Sequence, residues 1–386
     1  MFLKRGVHIL ARSFATGRRS PPDVHEMAQK LVGGQRAALS RAITMVESRR
    51  PQDKQLSHEL LGAVAALRQE VADASSPAAP FIAPPKDPKK GEEGGTAERP
   101  PHQSGSFGSF RLGIAGPPGA GKSTFVEALG EYLTRERLHK LAVVAIDPSS
   151  SLTGGSILGD KTRMTTLSAN PNAFVRPCPT GGTLGGVAQH TNEVVTLCEA
   201  GGHDIVVVET VGLGQSEIAI HDTVDMLMLL VPPAGGDELQ GVKKGIMELV
   251  DLVVVNKADG DLLAPARHSA TDFMHSLQLT RRKSPNWAPV VKLCSALEKT
   301  NISGVWHQVE LFREAMEASG ELDVKRRRQS MAWAWTEVQH ELMDLVRRDE
   351  SVKKTVGKLE AEMARGHLTP RQAAAMMIDK VMTPQQ

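Results

Sequence analysis

The stretch Gly116-Pro117-Pro118-Gly119-Ala120-Gly121-Lys122-Ser123 constrains this chain more than any other. It has the spacing of a phosphate-binding P-loop, which functions only where a strand hands over to a helix. The glycines let backbone N–H groups curl around phosphate oxygens, and the N-terminus of the following helix adds positive potential. Both flanks meet that requirement: Arg111 to Ala115 reads as a short β-rich run, and the residues from Lys122 onward read as a helix. Lys122 is spaced to reach the β and γ oxygens of a nucleotide, Ser123 to ligate Mg²⁺, and Thr124 completes the phosphate-binding set. A Gly/Pro-rich turn that merely precedes Lys-Ser is the bland alternative, and the flanking strand and helix argue against it.

The pattern around this loop repeats as strand, turn and helix. Leu141 to Ile146, Ile205 to Glu209, Met226 to Val231, Leu252 to Val255 and Val290 to Cys294 are further short β-rich runs, with helical stretches between most of them. Such alternation predicts an α/β fold: a P-loop NTPase core with a mostly parallel sheet covered by helices on both faces. Residues 107–320 hold this core. Before it, 23–75 carries helical stripes (Leu39, Ala42, Ile43, Val46, then Leu56, Leu60, Val64, Leu67, Val71), and 76–106 is a Pro/Gly-rich linker that cannot bury enough surface to order itself. After it, 321–386 is helical, with a basic run at Lys325 to Arg328 and tryptophans at 333 and 335 that suit a partner contact or buried packing.

Composition narrows the function. With 46 Lys and Arg against 44 Asp and Glu, nothing in the net charge of +2 points to nucleic acid or an anionic membrane. No run approaches the roughly 18 apolar residues that a membrane span needs, so the expectation is a soluble, intracellular protein. Cys178, Cys198 and Cys294 form no CxxC pair, which leaves neither a disulfide framework nor a thiolate metal site. Residues 1–22 contain Lys4, Arg5, Arg12, Arg18 and Arg19 with no acid before Asp23. Wound as a helix they place Leu3, Val7, Leu10 and Phe14 opposite Arg5 and Arg12, the pattern of a mitochondrial presequence.

Base choice turns on Asn256-Lys257-Ala258-Asp259 at the end of an apolar strand. Guanine presents two donors on one edge, and the Asp259 carboxylate can accept both. Adenine offers no such pair and would leave a buried anion unmatched, worth about 10⁴-fold in selectivity. A backbone N–H of Ser295-Ala296-Leu297, after the next strand, is placed to contact the guanine oxygen. Hydrolysis also needs acids near the metal and the attacking water. Asp147 and Glu209 close strands, and Asp160 follows a glycine-rich stretch where helix capping is a rival role. Glu209 stands where many GTPases have Asp, and its longer side chain can reach a metal through a water. Gly212 lets the backbone bend toward the γ-phosphate, as a hydrolysis-sensing switch requires.

Five stretches together resemble the methylmalonyl-CoA mutase-associated GTPases: Gly116 to Thr124, Asp147 to Ser150, Gly159 to Met164, Glu209 to Glu217, and Pro232 to Gly241. The resemblance runs from about Gly33 to the helical tail, interrupted chiefly by the linker. It implies a homodimeric mitochondrial-matrix GTPase with a helical N-terminal extension and a C-terminal dimerisation arm. Such a protein acts as chaperone of methylmalonyl-CoA mutase, gating the loading of adenosylcobalamin, a cofactor that belongs to the client. The resemblance also admits a cobalamin adenosyltransferase as a second partner. It assigns Mg²⁺-related and catalytic roles to Asp147, Asp160 and Glu209, phosphate binding to Lys122, and switch roles to Gly212, Gln215, Asp237 and Lys243. With no obvious arginine finger, GTP hydrolysis to GDP is expected to be slow alone and faster with the mutase.

Three other readings compete. A P-loop kinase needs an acceptor pocket, for which Arg163 and Arg176 are the candidates. A GTP-dependent metal-insertion chaperone needs Cys or His ligands near a switch, and Cys178 supplies a lone thiol. A noncatalytic scaffold predicts no turnover even with a partner.

Overall fold

The computed structural model describes residues 23–48, 50–74, 108–147, 164–179, 190–210, 220–233 and 244–382. The presequence and the linker lie outside the described residues, as do Asp160, Gly212, Gln215, Asp237 and Lys243. Of Asp147 the backbone alone is described.

Strands β1 (Phe110–Ala115), β2 (Leu141–Asp147), β3 (Ala173–Pro179), β4 (Ile205–Glu209), β5 (Met226–Val231), β6 (Leu252–Val255) and β7 (Val290–Leu293) form one sheet. Their order is β3-β2-β4-β1-β5-β6-β7, and every pair is parallel. An apolar run such as Met226–Val231 has no polar residue to offer water, so it is stable only in a sheet covered on both faces. Accordingly β1, β4, β5 and β6 are buried at every position.

The described helices are α1 (Val24–Val32), α2 (Arg36–Val46), α3 (Pro51–Ala74), α4 (Lys122–Glu131), α5 (Thr165–Ala169), α6 (Thr191–Ala200), α7 (Lys244–Leu249), α8 (Leu263–Leu279), α9 (Ile302–Ala318), α10 (Glu321–Arg348), α11 (Glu350–Ala364) and α12 (Pro370–Met382). One face of the sheet, with Phe110, Leu112, Ile114, Met228 and Leu230, packs on Phe125 and Leu129 of α4 and on Trp306, Val309 and Phe312 of α9.

β3 is the strand that the apolar pattern did not announce. Its sequence, Ala-Phe-Val-Arg-Pro-Cys-Pro, carries Pro177 and Pro179, which cannot donate to a ladder. Its position at the sheet edge, paired with β2 on one side, resolves the conflict.

The chain divides into two compact units: residues up to Ser109 with Glu193–Asp204, and Phe110–Asn192 with Ile205 onward. In the first, Asp23 caps α1 by accepting from His25 N and Glu26 N at 3.0 and 3.2 Å. Leu31, Leu39, Ile43, Leu60 and Val64 fill its core. The stripe expected along α3 fades toward its end, where Val71 is exposed.

The second unit includes the helices beyond 320, because α10 is anchored on the sheet. Arg326, fully enclosed, bonds Asp225 just before β5 through Nε to Oδ1 at 2.8 Å and through a second, shorter bond. Asp225 also accepts from Arg111 N at 2.8 Å, and its carbonyl accepts from Lys325 Nζ at 2.7 Å. Trp333 donates to Asp222 O at 2.9 Å beneath the Arg111 guanidinium, 5.1 Å from its ring centre. Trp335 is 64% exposed, so packing accounts for the first tryptophan and not for the second.

Candidate nucleotide site

Parallel strands end together, and here the ends of β1, β4, β5, β6 and β7 bring distant residues to one edge of the sheet. β1 runs into the P-loop, and Ile114 stands level with Glu209 at the end of β4. Gly119 and Gly121 take left-handed φ values of 82° and 85°, which an L side chain resists. A Cβ on Gly116 would lie 2.0 Å from the carbonyl oxygen of Leu230, so the loop can begin only with glycine.

Lys122 opens α4 and folds its ammonium back inside the loop, donating to Gly116 O at 2.8 Å and Pro117 O at 3.1 Å. Burial lowers its pKa, and the Glu209 charge partly offsets this. Ser123 Oγ donates to Glu209 Oε1 at 3.0 Å. A hydroxyl and a carboxylate thus share one position beside the phosphate loop, a hard-oxygen pair suited to Mg²⁺. Asp147 ends β2 two residues beyond Ala145, the partner of Glu209 across the ladder, and so lies about 7 Å further along the strand direction. Thr124 is exposed on the first turn of α4.

The segment expected to read the base is built by β6 and β7. Asn256, 1% exposed, does not face outward. Its Nδ2 donates to Ala120 O in the P-loop at 2.9 Å, while its Oδ1 accepts from Ala296 N at 3.0 Å and from Cys294 Sγ at 3.6 Å. One buried amide therefore ties the phosphate loop to both loops expected to meet the base. Burial pushes the Cys294 thiol pKa up to about 12, keeping it a neutral donor to that amide. Lys257 sits in the left-handed region, φ 56°, with its Cε over Gly121. The Asp259 carboxylate accepts from Ser295 Oγ, and Ser295 Oγ in turn accepts from Glu298 N at 3.0 Å.

Of the three residues offered for the guanine oxygen, Ser295 is enclosed and Ala296 already spends its N–H on Asn256. Leu297, 79% exposed, has an N–H without a partner among the described residues. Two residues that sequence reasoning passed over brace this loop: Lys299, φ 55°, ion-pairs with Glu131 at the end of α4 at 2.5 Å, and Asn301 donates to Leu293 O at 2.7 Å. No local pattern marks them, since they matter only once β7 lies beside β6.

Phosphate and base loops so linked by a single side chain, on a parallel sheet, define the class: this is a P-loop GTPase. Residues 102–351 match the family described as methylmalonyl Co-A mutase-associated GTPase MeaB, and the chain belongs to that family. It is 44% identical over 348 residues to the mouse methylmalonic aciduria type A homolog, mitochondrial, covering 90% of this chain and 77% of that protein. It is 40% identical over 361 residues to the GTPase ArgK of Escherichia coli, covering 93% and 96%. Among solved structures, one titled LAO/AO transport system kinase superposes with a TM-score of 0.63 at 32% identity, over 95% of this chain and all of that one. No helix among the described residues is long and apolar enough to cross a membrane.

Proposed function

We propose that this GTPase is a chaperone of methylmalonyl-CoA mutase, acting in the mitochondrial matrix to gate adenosylcobalamin loading and to protect or reactivate the mutase. Membership of a family described as mutase-associated is the observation that carries it. The basic, acid-free segment 1–22 and relatives from mouse and worm named as mitochondrial support the location. A cobalamin adenosyltransferase fits as a second partner on the family resemblance.

Within the site, the P-loop amides and Lys122 bind the β and γ phosphates, and Asp259, held by Ser295, reads the guanine edge. Ser123 and Glu209, with Asp147 and Asp160, would hold Mg²⁺, which would supply positive charge against the negative charge that develops on the phosphates. Glu209, already bonded to Ser123, orients that end of the site. The segments carrying Gly212 and Gln215, and Asp237 and Lys243, come after β4 and β5 in the chain and are the switches of this proposal, responding to the γ-phosphate.

Homodimerisation is supported by α10. Met331, Trp335, Val338, Leu342 and Leu345 recur at alternating spacings of four and three and are each 44–64% exposed, which forms the apolar seam of a coiled-coil-like contact.

Phosphate release from GTP and from ATP, with and without purified mutase, tests the reading in wild type, Lys122→Ala and Asp259→Asn. Expected are slow GTP-selective turnover, a rise with mutase, and loss in Lys122→Ala. In Asp259→Asn, preference should move toward xanthosine triphosphate, whose 2-carbonyl accepts where guanine donates. Turnover indifferent to mutase rejects the chaperone reading. Because one similar structure bears a kinase title, a small-molecule acceptor requirement for phosphate release would favour that second reading instead.

A further inference from the structure

Away from the nucleotide, the second unit holds a groove of about 530 Å³ between the C-terminal ends of α7 and α8 and the start of β7. Met247, Met274 and Leu277 form its apolar wall, and Arg281, Arg282 and Lys292 stand on its rim. Consecutive residues 288–292 all line it. Since neighbours in a strand point to opposite faces, such a run means that the backbone of β7 itself borders the groove. β7 is the last strand of the described sheet and pairs there with β6 alone, an arrangement that leaves a strand edge able to accept another chain.

Charge decides what kind of chain fits. Lys283 is committed, ion-paired with Asp251 Oδ1 at 2.7 Å and bonded to Leu249 O at the end of α7. Its neighbours Arg281 and Arg282 are exposed and join no ion pair among the described residues. Glu248 is the one acid among the lining residues.

We propose that this groove docks an extended acidic segment of a partner protein. Apolar side chains of the segment sit among Met247, Met274 and Leu277, its carboxylates face Arg281 and Arg282, and its main chain pairs along β7. The proposal rests on the reading that this GTPase has a protein client, and it names the surface and chemistry of that contact. α7 begins at Lys244, the next residue in the chain after 236–243, the stretch expected to switch, and Lys283 holds its last carbonyl next to the two arginines. Docking and nucleotide state thereby act on the same short helix.

The first arm of the test is fluorescence anisotropy of a labelled, end-blocked heptapeptide alternating Leu with Glu and Asp, titrated with the full chain. Saturable binding is expected, weakened at least tenfold in Arg281→Glu/Arg282→Glu and in Met274→Asp, and kept within about twofold in Arg281→Lys/Arg282→Lys, with basal GTP hydrolysis unchanged throughout. Absence of binding, equal binding of an all-Glu heptapeptide, or indifference to charge reversal overturns the groove. In the second arm the same variants are titrated with purified mutase. Undiminished affinity of the charge-reversed variant overturns the groove and leaves the client reading intact. If wild type does not bind mutase at all, the client reading falls and the peptide arm decides the groove.

Discussion

At the residue scale, Asn256 shows how a motif residue can serve a site by bracing the loops that frame it. Its amide meets a P-loop carbonyl and a base-loop N–H, and both groups are buried with it. Asn256→Ala strands them, and each unsatisfied buried group costs roughly 1–3 kcal/mol. The expected outcome is a loss of about 2–6 kcal/mol in urea denaturation, accompanied by weaker GTP binding in calorimetry, because the two loops lose their common register. The cysteines behave in the opposite sense. All three are buried, and Cys294 is pushed up to about 12, so the reactive thiolate is suppressed. A thiol-titrating reagent at pH 8 should find none of them in the native protein and all three in denaturant; rapid native labelling of Cys294 would contradict its role as a neutral donor to Asn256.

At the scale of elements, α10 is held to the sheet by Asp225 and Arg326. Removing one partner of a buried ion pair leaves an uncompensated charge, at about 3–5 kcal/mol. Asp225→Ala and Arg326→Met should each lose about that much, and the apolar double variant Asp225→Leu/Arg326→Met should lose clearly less than the sum. Burial alone pushes the Asp225 carboxyl up, but the charge and hydrogen bonds of Arg326, with those of Arg111, overcome it and hold the pKa below its ordinary value. A carboxyl with a depressed folded pKa adds stability above its unfolded pKa, about 3.9, and loses it as pH falls through the folded value. The stability difference between wild type and Asp225→Ala should therefore be flat from pH 7 to 5 and shrink below about pH 4.

For the molecule as a whole, the exposed seam from Met331 to Leu345 is the feature that a single chain leaves unexplained. Burying each large apolar side chain there is worth about 1.5–3 kcal/mol, and a carboxylate in such a seam removes that gain and adds a desolvation cost. Sedimentation equilibrium of Trp335→Glu/Leu342→Glu should give the monomer mass, 41.6 kDa, where wild type gives twice that, with GTP affinity of the separated chain retained. A wild-type monomer at micromolar concentration would count against the homodimer.

The sequence alone determined the family and most of the frame. The P-loop, Asn256 to Asp259 and the apolar strands are local patterns, because backbone curvature, donor geometry and two-sided burial each demand particular residues at fixed spacing. Only the tertiary structure decided which motif residues touch. That Asn256 latches Ala120, that Ser123 meets Glu209, that Ala296 is spent while Leu297 is open, and that β3 tolerates two prolines all follow from which strands lie side by side and which lies at the edge. Those are long-range contacts across parallel strands, set by packing of both faces of the sheet, and no local spacing encodes them.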